Sequence, residues 1–452
     1  MTKRSRTSLF ILLVVIFFFV GPALIMYSQG YRFDFNKMKF LETGGVYVKT
    51  NPGDADISID EKYQNRTSGF SREILIQNLL PKNHSIKIEK AGYHSWEKTL
   101  EVKEKNVAEA KYVILFPNEI NFSSIDTDIK NFYPYPDNSR FVLLTFSNEL
   151  FSYDSEKKES KKLLNNKQSP YNISDVVFSP SGKRALIKTN AGLHYLLNLE
   201  GQTATITLIK NFSSKTENIF FDPNNEASFY YQSNNQIYEV NVDKKTNPTL
   251  FKKEKVETFT LSNGYIYSLE DGDVIKTGTV VGTSEKISKE PFQINSAKQY
   301  ELISMENELF LLENGKTIYL LNKDTKVFDK LFESKTKIEY TPFYDRIIFV
   351  ADNELYLLLL KDTEAPFFKK AYSTISISKF SKSITDIKWL NGDYFVYALN
   401  SKLNISEIDN RDKINSFELD KNASKIFFNG NTKKLFILSQ NEFMVSENKV
   451  MP

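Results

Sequence analysis

Val176-Val177-Phe178-Ser179-Pro180-Ser181-Gly182-Lys183 is followed by Ala185-Leu186-Ile187 and then by His194-Tyr195-Leu196-Leu197. Three short apolar or aromatic runs alternate with Ser, Pro, Gly and Lys clusters. Such runs, bounded by turn residues, read as β-strands joined by tight connections. The same order recurs. Tyr133-Pro134-Tyr135-Pro136-Asp137 precedes Phe141-Val142-Leu143-Leu144, and Phe220-Phe221-Asp222-Pro223-Asn224 precedes Phe229-Tyr230-Tyr231. Tyr340-Thr341-Pro342-Phe343 precedes Ile347-Ile348-Phe349, Ile387-Lys388-Trp389 precedes Tyr394-Phe395-Val396-Tyr397, and Ile426-Phe427-Phe428 precedes Leu435-Phe436-Ile437-Leu438. Weaker copies span Phe259 to Leu269 and Leu302 to Leu312.

These make eight copies. Phe151 and Phe443 fall in the third strand of the first and last, which sets a period of about 42 residues. That period suits a four-stranded β-propeller blade. One blade cannot bury both of its faces alone, whereas a ring of blades can. A solenoid would need polar caps, and none is evident. Phe178-Ser179-Pro180-Ser181-Gly182-Lys183 resembles the Ser-Pro-Asp-Gly signature of TolB-type and WD40-like propellers. The likeness is strong in this copy and degenerate in the rest. The expectation is an all-β chain whose residues 118–452 form a propeller of eight blades, with seven as the nearest other count.

At the other end, Leu9 to Tyr27 is apolar and free of charge. As a helix it approaches the ~30 Å hydrocarbon thickness of a bilayer. Lys3, Arg4 and Arg6 precede it, so residues 1–8 are expected in the cytoplasm, 9–27 across the membrane and the remainder outside. Gly21 and Pro22 are expected to kink the helix. A cleaved signal peptide is the alternative, with small residues at Ser28 and Gly30, but its apolar core is shorter, about 7–15 residues. Residues 28–43 read as a juxtamembrane linker, with Tyr27 and Tyr31 as interfacial anchors.

Between linker and repeats, residues 44–117 read as a small β-sandwich. Val46 and Val48 alternate with polar residues, Asn51-Pro52-Gly53-Asp54 turns, and Ile57 and Ile59 alternate again, which signals a hairpin. Further strands begin at Ile74, Ser85, Trp96 and Val107. This segment resembles the PEGA domain family. The resemblance rests on Gly45-Val46-Tyr47-Val48, Pro52-Gly53-Asp54-Ala55, Ile57-Ser58-Ile59-Asp60, Leu79, Gly92-Tyr93 and Trp96. It departs at the namesake tetrapeptide, Pro-Gly-Asp-Ala here, and has Glu61 where a turn glycine is common. The resemblance implies an extracytoplasmic module, often beside a membrane anchor, that serves surface or cell-envelope interactions.

The charge balance narrows function. The formal net charge is +3, and Lys3, Arg4 and Arg6 account for it, so the rest of the chain is nearly neutral. Nucleic acid is therefore not an expected partner. There is no cysteine, which excludes disulfides, thiolate catalysis and thiolate metal sites. His84, His94 and His194 lack metal-ligand spacing and are expected at the surface, although His84 and His94 lie on neighbouring strands and could meet. No Gly-x-Ser-x-Gly, Walker loop or Gly-x-Gly-x-x-Gly occurs; Gly315-Lys316-Thr317 lacks the preceding glycine. Asp126-Thr127-Asp128 and Asp271-Gly272-Asp273 read as turns rather than calcium loops. Trp96 and Trp389 read as core.

No catalytic, cofactor-binding or metal-ligating residue is named, and no cofactor is expected. The leading reading is a membrane-anchored, non-enzymatic binding protein. It would present a propeller to an envelope polysaccharide or envelope protein. A propeller-type carbohydrate-active enzyme (a lyase or glycoside hydrolase) and a structural part of an envelope assembly are the other readings, because fold alone does not decide function.

Overall fold

The computed structural model describes residues 3–34, 38–201, 203–209, 216–244, 248–280, 282–364 and 369–452. Helix α1 (Lys3–Ser28) runs on past Pro22. From Arg6 to Ser28 it has a mean hydropathy of 3.0, and its apolar run is not buried against the rest of the chain. It is long and apolar enough to cross a membrane.

Where a linker is expected, the chain instead forms a hairpin. Strand β1 (Tyr31–Asp34) pairs antiparallel with β2 (Lys39–Glu42). Arg32 covers the Tyr27 ring at 3.4 Å, and the Tyr31 hydroxyl donates to Glu42. Glu42 in turn meets Lys105 at 2.8 Å. The helix is thus joined to the next module by paired backbone.

That module is a sandwich of two sheets. One contains β3 (Gly44–Asn51), β6 (Glu73–Leu79) and β9 (Val107–Ile114), with β3 central, antiparallel to β6 and parallel to β9. The other orders β5 (Lys62–Arg66), β4 (Asp56–Ile59), β7 (Asn83–Glu89) and β8 (Trp96–Glu101), all antiparallel. Val46, Val48, Ile57, Ile59, Ile86 and Ile88 fill the space between the sheets. The expected hairpin across Asn51-Pro52-Gly53-Asp54 does not form, because β3 and β4 lie in different sheets. An inward Val or Ile at every second residue is equally satisfied when the turn carries the chain over the core. Strand β5 escapes sequence reading because all its residues are exposed and it has no apolar face.

Residues 122–446 form eight four-stranded antiparallel sheets. The inner strands are Ile129–Pro134, Ile173–Phe178, Glu217–Asp222, Val256–Ser262, Tyr300–Met305, Glu339–Phe343, Ile384–Trp389 and Lys425–Asn429. Seven sheets are built from consecutive strands. The eighth takes its outer strand, Phe122–Asp126, from ahead of the first blade and pairs it with Glu442–Ser446. The architecture is an eight-bladed β-propeller, closed by that strand.

The second strand of each blade explains the repeat's apolar signature. Phe141 and Leu143 pack with Phe436, Leu438 and Phe443 of the eighth blade. Val142 and Leu144, pointing the other way, pack with Ile173, Ala185 and Ile187 of the second. A strand buried on both faces reads as a continuous apolar run, not an alternating one. Each pair of neighbouring blades shares one such cluster, around the whole ring.

Candidate binding site

Inner strands converge on the axis, where side chains lose apolar neighbours and meet water, so polar residues are expected there. Each inner strand carries one among its first three residues: Asn131, Asp175, Asn218, Thr258, Glu301, Tyr340, Asp386 and Lys425. Several of them reach across the gap between blades. Asn218 Nδ2 donates to Thr258 Oγ1 at 3.2 Å, and Thr258 Oγ1 accepts from Leu302 N at 3.3 Å. The Tyr340 hydroxyl donates to Glu301 at 3.2 Å. Asp386 Oδ2 accepts from Ile426 N at 2.7 Å. Lys425 Nζ donates to Asn131 Oδ1 at 2.9 Å and to the Phe132 carbonyl at 2.7 Å. Burial pushes the Lys425 ammonium down to about 8, against the opposing pull of Asp386. In five blades a β-bulge lies at or beside this polar residue, a device that re-aims side chains.

Beside the ring opens a hollow of about 960 Å³, lined from Lys188 in the second blade to Lys337 ahead of the sixth. Five side-chain amides line its wall, Asn218, Asn235, Asn295, Gln299 and Asn314, among four lysines and two glutamates. Lys255 pairs with Glu257 at 3.0 Å and Lys298 with Glu313 at 2.9 Å. Tyr300 fixes the rim, its hydroxyl accepting from Asn295 N at 2.9 Å.

Strand direction decides which face this is. In an antiparallel blade, loops entering the inner strand share one face with the turns between second and third strands. Turns after the inner strand share the opposite face with the loops between third and fourth strands. Lys255, Asn295, Gln299 and Lys337 lie on entering loops, and Asn235 and Asn314 on second turns. The hollow therefore opens on the entering face.

The small module sits on the other one. Its partners are the seventh blade's first turn and the loop between Lys402–Glu407 and Ser416–Asn422. Lys98 Nζ lies 2.8 Å from Glu407 and donates to the carbonyls of Asp409 at 2.7 Å and Lys413 at 2.9 Å. Trp96 Nε1 donates to Glu407 Oε2 at 2.8 Å. Strand β8 is a sheet edge, and its outward N–H groups at Glu97 and Thr99 donate to Asn415 at 3.1 Å and Asp412 at 2.8 Å. Edge strands left open are aggregation templates; here a propeller loop caps one. Phe116 joins the core of the seventh and eighth blades, and Tyr394 OH accepts from Ile114 N at 3.1 Å. Burial raises Tyr394 far above its ordinary range and raises Asp393, which Arg346 opposes from 3.3 Å.

The histidines are not where the sequence reading put them. His84 is buried, with Nδ1 2.9 Å from Asp60 and Nε2 2.8 Å from the Leu80 carbonyl. His194 is also buried. His94 is half-buried and stacks on Phe417 at 4.3 Å. His84 and His94 do not meet, because β7–β8 register sets His84 opposite Leu100, at the far end of β8 from His94. His94 N donates to the Phe116 carbonyl at 2.8 Å, but the aromatic partner that covers its ring lies more than three hundred residues away, so no local signal exists for the stack. Trp96 and Trp389 are both buried, and Trp389 Nε1 donates to the Thr341 carbonyl of the sixth blade at 3.0 Å. Asp271-Gly272 is a two-residue hairpin loop with φ of 48° and 90°. Asp273 pairs with Lys286 at 2.8 Å. Among the described residues no group of three or more His, Asp or Glu gathers as metal ligands.

Comparison with known proteins places residues 43–114 in the PEGA domain. No curated protein sequence matches the chain. Among solved structures, BamB from Moraxella catarrhalis is similar at 11% identity, over 73% of this chain and 96% of that one, with a TM-score of 0.43. The β-propeller domain of Myceliophteria thermophila Cps50 (Swd1) is similar at 10% identity, over 72% and 99%, with a TM-score of 0.41. PorZ of Porphyromonas gingivalis, an essential bacterial surface component of the type-IX secretion system, is similar at 13% identity with a TM-score of 0.40. That match takes in 70% of this chain and 42% of PorZ.

Proposed function

We propose that the chain is a membrane-tethered extracytoplasmic binding protein, not an enzyme, that holds the open face of its propeller toward an envelope partner. One observation carries this reading: the PEGA module occupies the exit face at the seventh blade, and the 960 Å³ hollow opens on the opposite, entering face. The binding surface is therefore turned away from the element that leads to α1. The basic start and the bare apolar surface of α1 support a membrane span with residues 1–8 in the cytoplasm. The paired hairpin after it, stapled by Glu42 and Lys105, supports an anchor that stays attached. Loops on a rigid ring are where recognition concentrates. Residues 44–117 then serve as a docked spacer and 118–452 as the receptor.

The cysteine-free sequence makes the test direct. Single Ser5→Cys and Asn314→Cys variants are exposed to a membrane-impermeant maleimide on intact cells. Labelling of the Asn314→Cys chain alone supports the reading, and labelling of Ser5→Cys instead overturns it. Capture of envelope fractions by the detergent-solubilised full chain, lost on substitution of Asn235 and Asn314, assigns the binding to the hollow.

A further inference from the structure

Resting on that reading, we infer that the hollow binds a hydroxyl-rich polymer carrying carboxylate or phosphate groups. Its size lies at the top of the range for small-molecule sites, about 300–1,000 Å³, and its mouth spans several blades, which suits a segment of a chain. Its wall offers the side-chain amides of Asn235, Asn295, Gln299 and Asn314 as donors and acceptors, the complement of vicinal hydroxyls, while the Asn218 Nδ2 group already serves Gln232 and Thr258. Only Ile294 and Leu312 present aliphatic side chains among the lining residues. Protein-binding hot spots instead need packed aromatic, aliphatic or Arg anchors.

Charge sets the second requirement. Glu257 and Glu313 are each matched by a lysine, and Glu301 accepts the Tyr340 hydroxyl. Lys188 and Lys337 make no ion pair among the described residues and are exposed at opposite ends of the lining. They are placed to receive two separated anions along one polymer. The lining holds four lysines and two carboxylates, Glu257 and Glu301, and Glu313 pairs with Lys298 from outside it; so small a positive excess does not suit a nucleic acid, whose affinity is dominated by many neutralised phosphates.

The test uses the full chain in lipid nanodiscs and three probes: oligogalacturonate, glycerol-phosphate oligomer and neutral dextran of similar length. One or both anionic probes are expected to bind at least fivefold more tightly than dextran at low salt, with the advantage shrinking as salt is raised. Which of the two wins distinguishes uronate from phosphate chemistry. The paired substitution K188A/K337A is expected to bring anionic and neutral probes within twofold of each other while the melting temperature stays unchanged. Equal binding of all three probes by the unmodified chain, no binding of any, or an anionic preference that survives K188A/K337A overturns the assignment. Those results leave the maleimide topology standing, so failure of the ligand class and failure of the tethered reading are separate outcomes.

Discussion

The Lys98 ammonium lies 2.8 Å from the Glu407 carboxylate, and neither side chain reaches solvent. They come from different modules, and the contact joins the PEGA module to the seventh blade. Removing one member of a buried pair leaves the other charged and uncompensated, which costs about 3–5 kcal/mol. Lys98→Ala is expected to lose stability on that scale in chemical denaturation of the full chain. It should also expose the loop around Arg411 to protease. A Lys98→Met, Glu407→Leu double variant should recover only part of the loss, because it leaves no orphan charge but deprives Trp96 Nε1 and the Asn415 amide of their acceptor. A single-variant loss below about 1 kcal/mol would show that the docking rests on the aromatic contacts instead.

Acid should loosen the same interface. Burial holds the His94 imidazole below its ordinary range, with the Asn118 backbone pulling weakly the other way. The ring is neutral when docked against Phe417. Between the unfolded value near 6.5 and the lower folded one, the unfolded chain binds more protons, so stability falls as pH falls. His194 is lowered by burial too and adds to the total slope. Melting temperatures from pH 7.5 to 5 should therefore drop less in His94→Phe than in the unmodified chain. Identical slopes would remove His94 from the acid response.

Ring closure depends on Phe141. Its ring is fully buried and lies within 4.5 Å of Phe436 and 5.2 Å of Phe443. Phe141→Ala removes contacts on both sides of the first–eighth junction and should cost about 3–5 kcal/mol. Urea titration of the full chain gives the value. Phe141→Leu should lose well under half as much.

Lys425 works in the alkaline direction. Its folded value, about 8, is below the unfolded ~10.4. From pH 8 to 10 the unfolded chain binds more protons, so this residue makes stability rise with pH. Lys425→Gln should flatten that rise in thermal melts taken at intervals across the range. An unchanged alkaline slope would show that Lys425 stays charged in the folded ring, held by Asp386.

The copies quoted from Tyr133 to Leu438 correspond to eight real blades because strand alternation is local. Phe141 to Leu144 look continuous and apolar in the sequence for the reason that both faces are covered. The same locality explains the misreading at Pro52. Val46, Val48, Ile57 and Ile59 need only an inward face, and that need is blind to whether the turn makes a hairpin or crosses the core. The β1–β2 pair was hidden because four-residue strands carry too little pattern to stand out from polar linker.

By itself, then, the sequence determined the apolar helix, the PEGA segment and the blade repeat, each through the pattern of side chains over a few neighbouring residues. Tertiary structure alone decided that His94 meets Phe417, that Lys98 meets Glu407, and that the amide-lined hollow faces away from the module. Those contacts join residues some three hundred positions apart. Nothing in the local pattern around either partner encodes them, because their energies arise only once the ring has closed and desolvated both sides.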